Sequence, residues 1–220
     1  MKPMRPTEPC LLCGSSETDR FLEDKHRVYR RCGNCALVFV TPDFHVSAAD
    51  EKARYDEHNN DLRDDSYRAF LDRITIPIQR RFDSGSKGLD FGCGPVPLLA
   101  EILAEKGFEM EVFDPIYADH SVPLQKRFDF VVSTEVVEHL RRPLDVLKRM
   151  FSLVAHDGIL AVMTRPYDDV RDFAGWHYKN DRTHICFYSS QTFEWLASEF
   201  GVSLHREASD IFLFDRRNAA

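Results

Sequence analysis

Leu89-Asp-Phe-Gly-Cys-Gly-Pro95 is the stretch whose reading decides the fold. With Gly88 in front, it begins as a short apolar strand, turns on two glycines one residue apart, and opens into the helix-forming run PLLAEILAEKG. Gly92 and Gly94 let the backbone bend sharply and approach a ligand at the carboxyl end of a sheet, with Cys93 between them. Asp114 ends the next apolar segment, EMEVFD, 20 residues after Gly94, where an acid can accept hydrogen bonds from ribose hydroxyls. Asp90 precedes the turn and can orient the loop or meet an amino group. A nicotinamide-dinucleotide fold shares this strand–glycine–helix–acid order, so the glycines alone leave the cofactor open. The D-x-G-C-G form lacks the G-x-G-x-x-G that cradles a pyrophosphate, which favours a ligand without one.

Outward from this turn the chain keeps alternating. FDFVVS reads as a strand and RPLDVLKRMFSLVAHDG as a helix ending at a turn; the strand GILAVMT follows. SQTFEWLASEFG is a further helix, and VSLHRE and DIFLFD close the chain as strands. This rhythm implies an α/β fold, a doubly wound, mostly parallel sheet with right-handed crossovers. Upstream, Tyr67, Phe70, Leu71, Ile74, Ile78 and Phe82 recur at helical steps, and Pro77 is expected to kink or split that helix. The expected organisation is a cysteine-punctuated module over 1–45, a helical connecting segment over 46–85, and the α/β domain over 86–220.

The 220 residues carry 36 acidic against 29 basic side chains, a formal charge of −7, which argues against a protein built to grip a duplex. Lys25, His26, Arg27, Arg30 and Arg31 form a local basic cluster that reads as a solvated face. The stretch MKPMRPTEPC has no apolar core of a signal peptide, and runs such as GILAVM fall far short of the roughly 20 residues of a membrane span. A cytoplasmic protein is expected, in a compartment where thiols stay reduced.

In that setting six cysteines read first as ligands or packed thiols. Cys10-x2-Cys13 and Cys32-x2-Cys35, with 18 residues between the pairs, suit a closed tetrahedral four-thiolate zinc site, with Gly14 and Gly33 supplying tight backbone. A segment with so few apolar side chains needs such a staple to fold, so this zinc is structural. Cys93 and Cys186 have no partner pair and read as a loop residue and a packed thiol.

Ser133-Thr-Glu-Val-Val-Glu-His139 follows the FDFVVS strand. As a helical turn it places Glu135, Glu138 and His139 at i, i+3 and i+4, two carboxylates and an imidazole on one face. That donor set suits a divalent cation with open positions, which can lower the pKa of a substrate hydroxyl.

LDFGCGP, Asp114, FDFVVSTEVVEHL and AHDGIL stand in the order seen in class I S-adenosylmethionine (SAM)-dependent methyltransferases, which this chain resembles over roughly residues 86–220. The resemblance implies a Rossmann-like sheet with SAM bound by Asp90, Gly92, Cys93, Gly94, Asp114 and Glu135. Two departures stand out. Val96 occupies the place of a frequent third glycine, and the short stretch between Asp114 and FDFVVS shortens or removes a strand and helix. E-x-x-E-H resembles the metal-binding motif of ubiquinone-biosynthesis O-methyltransferases and of small-RNA 2′-O-methyltransferases, which add a distal histidine. His177 and His184 are available for that role, His184 the better placed of the two. The implied metal set is Glu135, Glu138, His139 and His184, with Glu138, His139 and His184 as the catalytic groups. Other class I methyltransferases carry E-H here without a metal, the Glu meeting cofactor and the His shaping the pocket. In that case His139 or His184 serves as general base. Residues 176–188, rich in aromatic and titratable groups, are the expected substrate wall.

The leading expectation is therefore methyl transfer from SAM to a hydroxyl of a small molecule, with RNA as the alternative acceptor through the zinc knuckles. A third expectation is a non-catalytic zinc-knuckle adaptor with a degenerate SAM fold.

Overall fold

The computed structural model describes residues 8–57, 65–119 and 121–218. The expectation for the first residues, and part of that for the connecting segment, lie outside the described residues. The chain opens with a ribbon of three strands, β1 (Thr18–Glu23), β2 (Val28–Cys32) and β3 (Val38–Val40). Helices α1 (Ala48–Asp56) and α2 (Asp65–Gln79) follow. The α/β unit is β4 (Lys87–Phe91), α3 (Leu98–Glu105), β5 (Glu109–Phe113), β6 (Phe128–Thr134), α4 (Pro143–Ser152) and β7 (Val154–Met163). The two-residue strand β8 (Cys186–Phe187), α5 (Ser190–Phe200), β9 (Ser203–Ala208) and β10 (Ile211–Asp215) complete it.

Six strands form one sheet in the order β5-β4-β6-β7-β10-β9. β5, β4, β6 and β7 run parallel, and β10 pairs antiparallel with both β7 and β9. Period-two alternation splits the central strands between two cores. Val131, Leu160, Val162, Phe212 and Phe214 face one side with α4 and α5 residues Leu147, Met150, Phe193 and Leu196. Phe130, Val132, Ile159, Ala161, Met163 and Leu213 face the other, against Leu71, Ile74, Ile78, Leu99, Ile102 and Leu103 of α2 and α3. Covered on both faces, these strands are nearly continuous apolar runs, as parallel strands are. From β4 the chain first moves to one neighbour, β5, and later returns to the other, β6. The glycine turn after β4 therefore sits at the topological switch point, where such sheets bind ligands.

Two local expectations change, and the expected shortening between Asp114 and β6 is met. Pro77 does not split α2, which runs on to Gln79. AHDG is not a free turn: β7 already starts at Val154, and its register with β6 jumps between the Phe128 and Phe130 pairings. Between Asp114 and β6 the described residues hold a 3-10 turn (Pro123–Gln125) instead of a strand and helix, which leaves β5 as the sheet edge.

The ribbon does not stand apart. β3 hydrogen-bonds to β8, so its sheet is completed by a strand from far along the chain. Tyr29, Val38, Phe39 and Val40 share one core cluster with Phe187, Tyr188 and the main sheet. Among the described residues no helix is long and apolar enough to cross a membrane.

Candidate active site and four-cysteine centre

At the ribbon's end the four cysteine sulfurs come together, all within 4.8 Å of one another. Cys10 Sγ lies 3.5 Å from Cys35 Sγ, and Cys13 Sγ 3.5 Å from Cys32 Sγ. A tetrahedral zinc with bonds of about 2.3 Å needs sulfur separations of roughly 3.8 Å, so the donor set fits with little movement. Gly14 and Ala36, the residues after each pair, carry the positive φ values, +71° and +59°. Gly33 lies in the turn of the second pair without a positive φ; Ala36 takes that conformation. The packed thiols compete for charge. The hydrogen bond from Cys35 draws Cys10 down to about 6 against its burial, while burial pushes Cys32 up to about 11.

On the main sheet a cavity of about 950 Å³ opens at the carboxyl ends of β4, β5 and β6, beneath α1 and α2. Asp90, Gly92, Cys93, Gly94, Asp114, Glu135, His139 and His184 all line it. Glu138, fully buried, stands behind the wall. Gly92 has φ +84°, and a Cβ there would lie 2.5 Å from Val136 Cγ2, so only glycine lets the turn pass that side chain. Asp114 fixes the loop from β5. Its Oδ2 accepts the Gly94 N–H at 3.0 Å, and its Oδ1 accepts those of Ile116 and Tyr117 at 2.8 and 3.1 Å. Asp90 is buried with Oδ1 lacking a partner, and burial, aided by the Asp114 charge, raises its carboxyl to about 7. Glu135 Oε1 also lacks a partner. Two buried, unsatisfied oxygens on one cavity wall match a ligand that brings donors or positive charge.

The E-x-x-E-H segment does not form the expected helical turn. Glu135 takes a left-handed φ of +53°, and a 3-10 helix starts only at Val137 and ends at His139. The backbone change sets Glu135 apart. Glu138, His139 and His184 place their ligand atoms within 4.8 Å of one another, and Glu135 is outside that group. His177 lines the cavity but pairs with Arg165 at 3.3 Å, away from the cluster. Each clustered imidazole is oriented from behind. His139 Nδ1 lies 3.2 Å from the Thr183 carbonyl, and His184 Nδ1 lies 2.8 Å from that of Tyr178. A carbonyl only accepts, so both rings carry Nδ1–H, as in histidines that ligate through Nε2. Burial holds His139 below its ordinary pKa despite the Glu138 charge, so the ring is neutral near pH 7.

Glu138 is fixed by two hydroxyls. Thr164 Oγ1 donates to Oε2 at 3.0 Å, and the Tyr178 hydroxyl donates to Oε1. Tyr178 Oη also lies 3.1 Å from Glu135 Oε2. One hydroxyl proton cannot serve two carboxylates, so Glu135 supplies the second: burial, then the Glu138 charge, pushes it well above the carboxylate range. Thr164 and Tyr178 were not singled out by sequence reasoning. Thr164 had a legible signal, its place just past the carboxyl end of a parallel strand, and Tyr178 lies within the predicted substrate wall. Cys93, raised to about 12 by burial, and Cys186, buried and raised well above the thiol range by burial, are not activated nucleophiles.

A family model described as a methyltransferase domain matches residues 57–207. The chain belongs to that methyltransferase-domain family. The fold is shared with magnesium protoporphyrin IX methyltransferase from Synechocystis PCC 6803, solved with bound SAH (TM-score 0.52, 15% identity, 79% of this chain and 95% of that one). It is shared also with an O-methyltransferase family protein from Burkholderia thailandensis (TM-score 0.51, 13% identity, 77% of this chain). The match spans 64% of that second protein, less than two thirds of its length. No curated protein matches the chain by sequence.

Proposed function

We propose that this methyltransferase transfers the SAM methyl group to a hydroxyl of a small molecule, with a divalent cation held by Glu138, His139 and His184. The observation that carries the reading is the convergence of those three ligand atoms at the wall of the cavity that also holds the glycine turn. At about 950 Å³ the cavity lies at the upper end of small-molecule pockets and has room for a cofactor and a compact acceptor together. The four cysteines are assigned a structural zinc, since a closed thiolate set leaves no position for substrate.

Within this reading the residues divide the work. The Gly92–Gly94 turn and Asp114 receive the nucleoside part of SAM, and Asp90 and Glu135 face its amino-acid part with their unsatisfied oxygens. When bound, a divalent cation lowers the pKa of an acceptor hydroxyl and aims its oxygen. Thr164 and Tyr178 hold the Glu138 carboxylate, and the Thr183 and Tyr178 carbonyls hold both imidazoles with Nε2 forward. Without a cation, neutral His139 is the base that takes the acceptor proton.

Mn²⁺ titration followed by electron paramagnetic resonance tests the cluster. Wild type is expected to bind, and Glu138→Ala or His139→Ala to lose binding and turnover while SAH affinity by calorimetry stays within about twofold, a separation expected when metal and cofactor contacts differ. A chain that turns over in the presence of chelators with one zinc overturns the cation. An RNA acceptor, less favoured by the −7 charge, would show itself as salt-sensitive RNA retention.

A further inference from the structure

Arg27, in the turn between β1 and β2, is only 6% exposed, an unusual place for a guanidinium. Its Nη1 donates to the carbonyls of Asp181 and His184, at 3.0 Å each. A second buried cation crosses the same boundary in the opposite direction. Lys179, 4% exposed, donates to Asp24 Oδ2 at 2.9 Å. Asp24 Oδ1 in turn accepts the N–H groups of His26 and Arg27 at 2.8 and 2.9 Å, closing the ribbon's turn around the contact. The Val40 N–H donates to the Ile185 carbonyl at 2.9 Å where β3 meets β8. A buried guanidinium on carbonyls and a buried ammonium on a carboxylate are costly unless their partners are well placed, so these contacts define one seating of the ribbon on the loop.

The loop needs such support. Between the end of β7 and β8 it contains only two short 3-10 turns, Tyr167–Asp169 and His177–Asn180, and no strand pairing of its own. Yet it must hold the Tyr178 hydroxyl on Glu138, the Tyr178 and Thr183 carbonyls on the two imidazoles, and the His184 ring at the cavity. Arg27 and Asp24 hold His184 itself and residues within two positions of Tyr178 and Thr183, through the carbonyls of Asp181 and His184 and the ammonium of Lys179.

We propose that the cysteine ribbon positions the acceptor side of the active site, with Arg27 and Asp24 as positioning residues that set the His184 imidazole and the Tyr178 hydroxyl. The proposal rests on the reading that residues 178–184 form that side of the site. The four thiols lie at the far end of β2, about 17 Å from Arg27 at the usual strand rise, so the centre acts through a rigid hairpin.

The test is imidazole ¹⁵N–¹H NMR of the full chain, with the His184 signals assigned by their loss in His184→Gln. In wild type His184 is expected to show the Nδ1–H tautomer that its bond to the Tyr178 carbonyl dictates. Arg27→Ala is expected to keep its zinc and its SAH affinity while His184 shifts toward the mixed tautomers of a free imidazole. Mn²⁺ binding should then weaken about tenfold or more, as for other lost supports of ligating histidines. Arg27→Lys keeps the charge without the rigid fork and serves the same measurement if Arg27→Ala does not fold. A His184 signal unchanged in a folded Arg27 variant overturns the proposal, whatever the loss in melting temperature. Failure of wild type to bind Mn²⁺ would instead remove the cation reading, and the His184 tautomer would still decide this one.

Discussion

Asp90 is the residue whose environment makes the sharpest statement about cofactor binding. Its carboxyl stands at about 7 because burial disfavours the charge and Asp114 repels it. This raised value works against the folded state as pH rises: the stabilisation is full below the ordinary carboxylate pKa and is lost as pH passes through about 7. An ammonium group arriving beside Asp90 reverses the balance by favouring the ionised form. SAM binding near pH 6.5 is therefore expected to release a proton, seen as a dependence of calorimetric enthalpy on buffer ionisation heat. Asp90→Asn should abolish that dependence and weaken SAM roughly tenfold or more, the scale of one charge-assisted hydrogen bond. An unchanged buffer dependence in Asp90→Asn would place the titration elsewhere.

At the scale of elements, the glycine turn is limited by a neighbour more than by the cofactor. Gly92 passes Val136, the residue after Glu135, so the loops after β4 and β6 are built against each other. Gly92→Ala combines a clash at 2.5 Å with a left-handed φ. It is expected to destabilise the fold by about 1–3 kcal/mol and to weaken SAH binding. Gly92→Ala/Val136→Ala relieves the clash but not the backbone strain, so partial recovery in a denaturant titration is the expected result. Full recovery would mean that φ is not limiting. Helix α1 shows the opposite kind of element. It buries no residue, and its ties are polar: Arg54 to Asp181 at 3.1 Å and Tyr117 to Asp56 at 2.6 Å, with Tyr55 edge-on to His139. Its amphipathic signal was correspondingly weak in the sequence, whereas the apolar spacing of α2 marked that helix plainly.

For the whole molecule, ribbon and α/β sheet share a core, with Tyr29, Phe39 and Phe187 all buried together. A single cooperative calorimetric transition is expected, since separating the parts would expose that surface. Removal of zinc by a chelator should lower the transition and expose the Phe187 region to an apolar dye. Release should also become easier as pH falls, because the thiolates must then be protonated. Two resolved transitions with the α/β part unaffected by chelation would show that the ribbon is only an appendage.

The periodic apolar strands, the glycine turn, Asp114 and the paired cysteines were legible by themselves, because each is a local pattern: strand alternation, a short-range turn, two-residue ligand spacing. The same locality misled at E-x-x-E-H, where i, i+3 spacing suggested one face and a left-handed Glu135 broke it. Tertiary structure brought His184, already preferred to His177, beside Glu138 and His139 and left Glu135 out of the group. It also decided that Tyr178 and Thr164 fix Glu138, and that Arg27 reaches carbonyls more than 150 residues away. Arg27 in particular sat in a basic cluster that read as a solvated face, and folding buried it. Those contacts depend on how loops at the carboxyl ends of separate strands are brought over one another, and no spacing along the chain encodes a distance between loops.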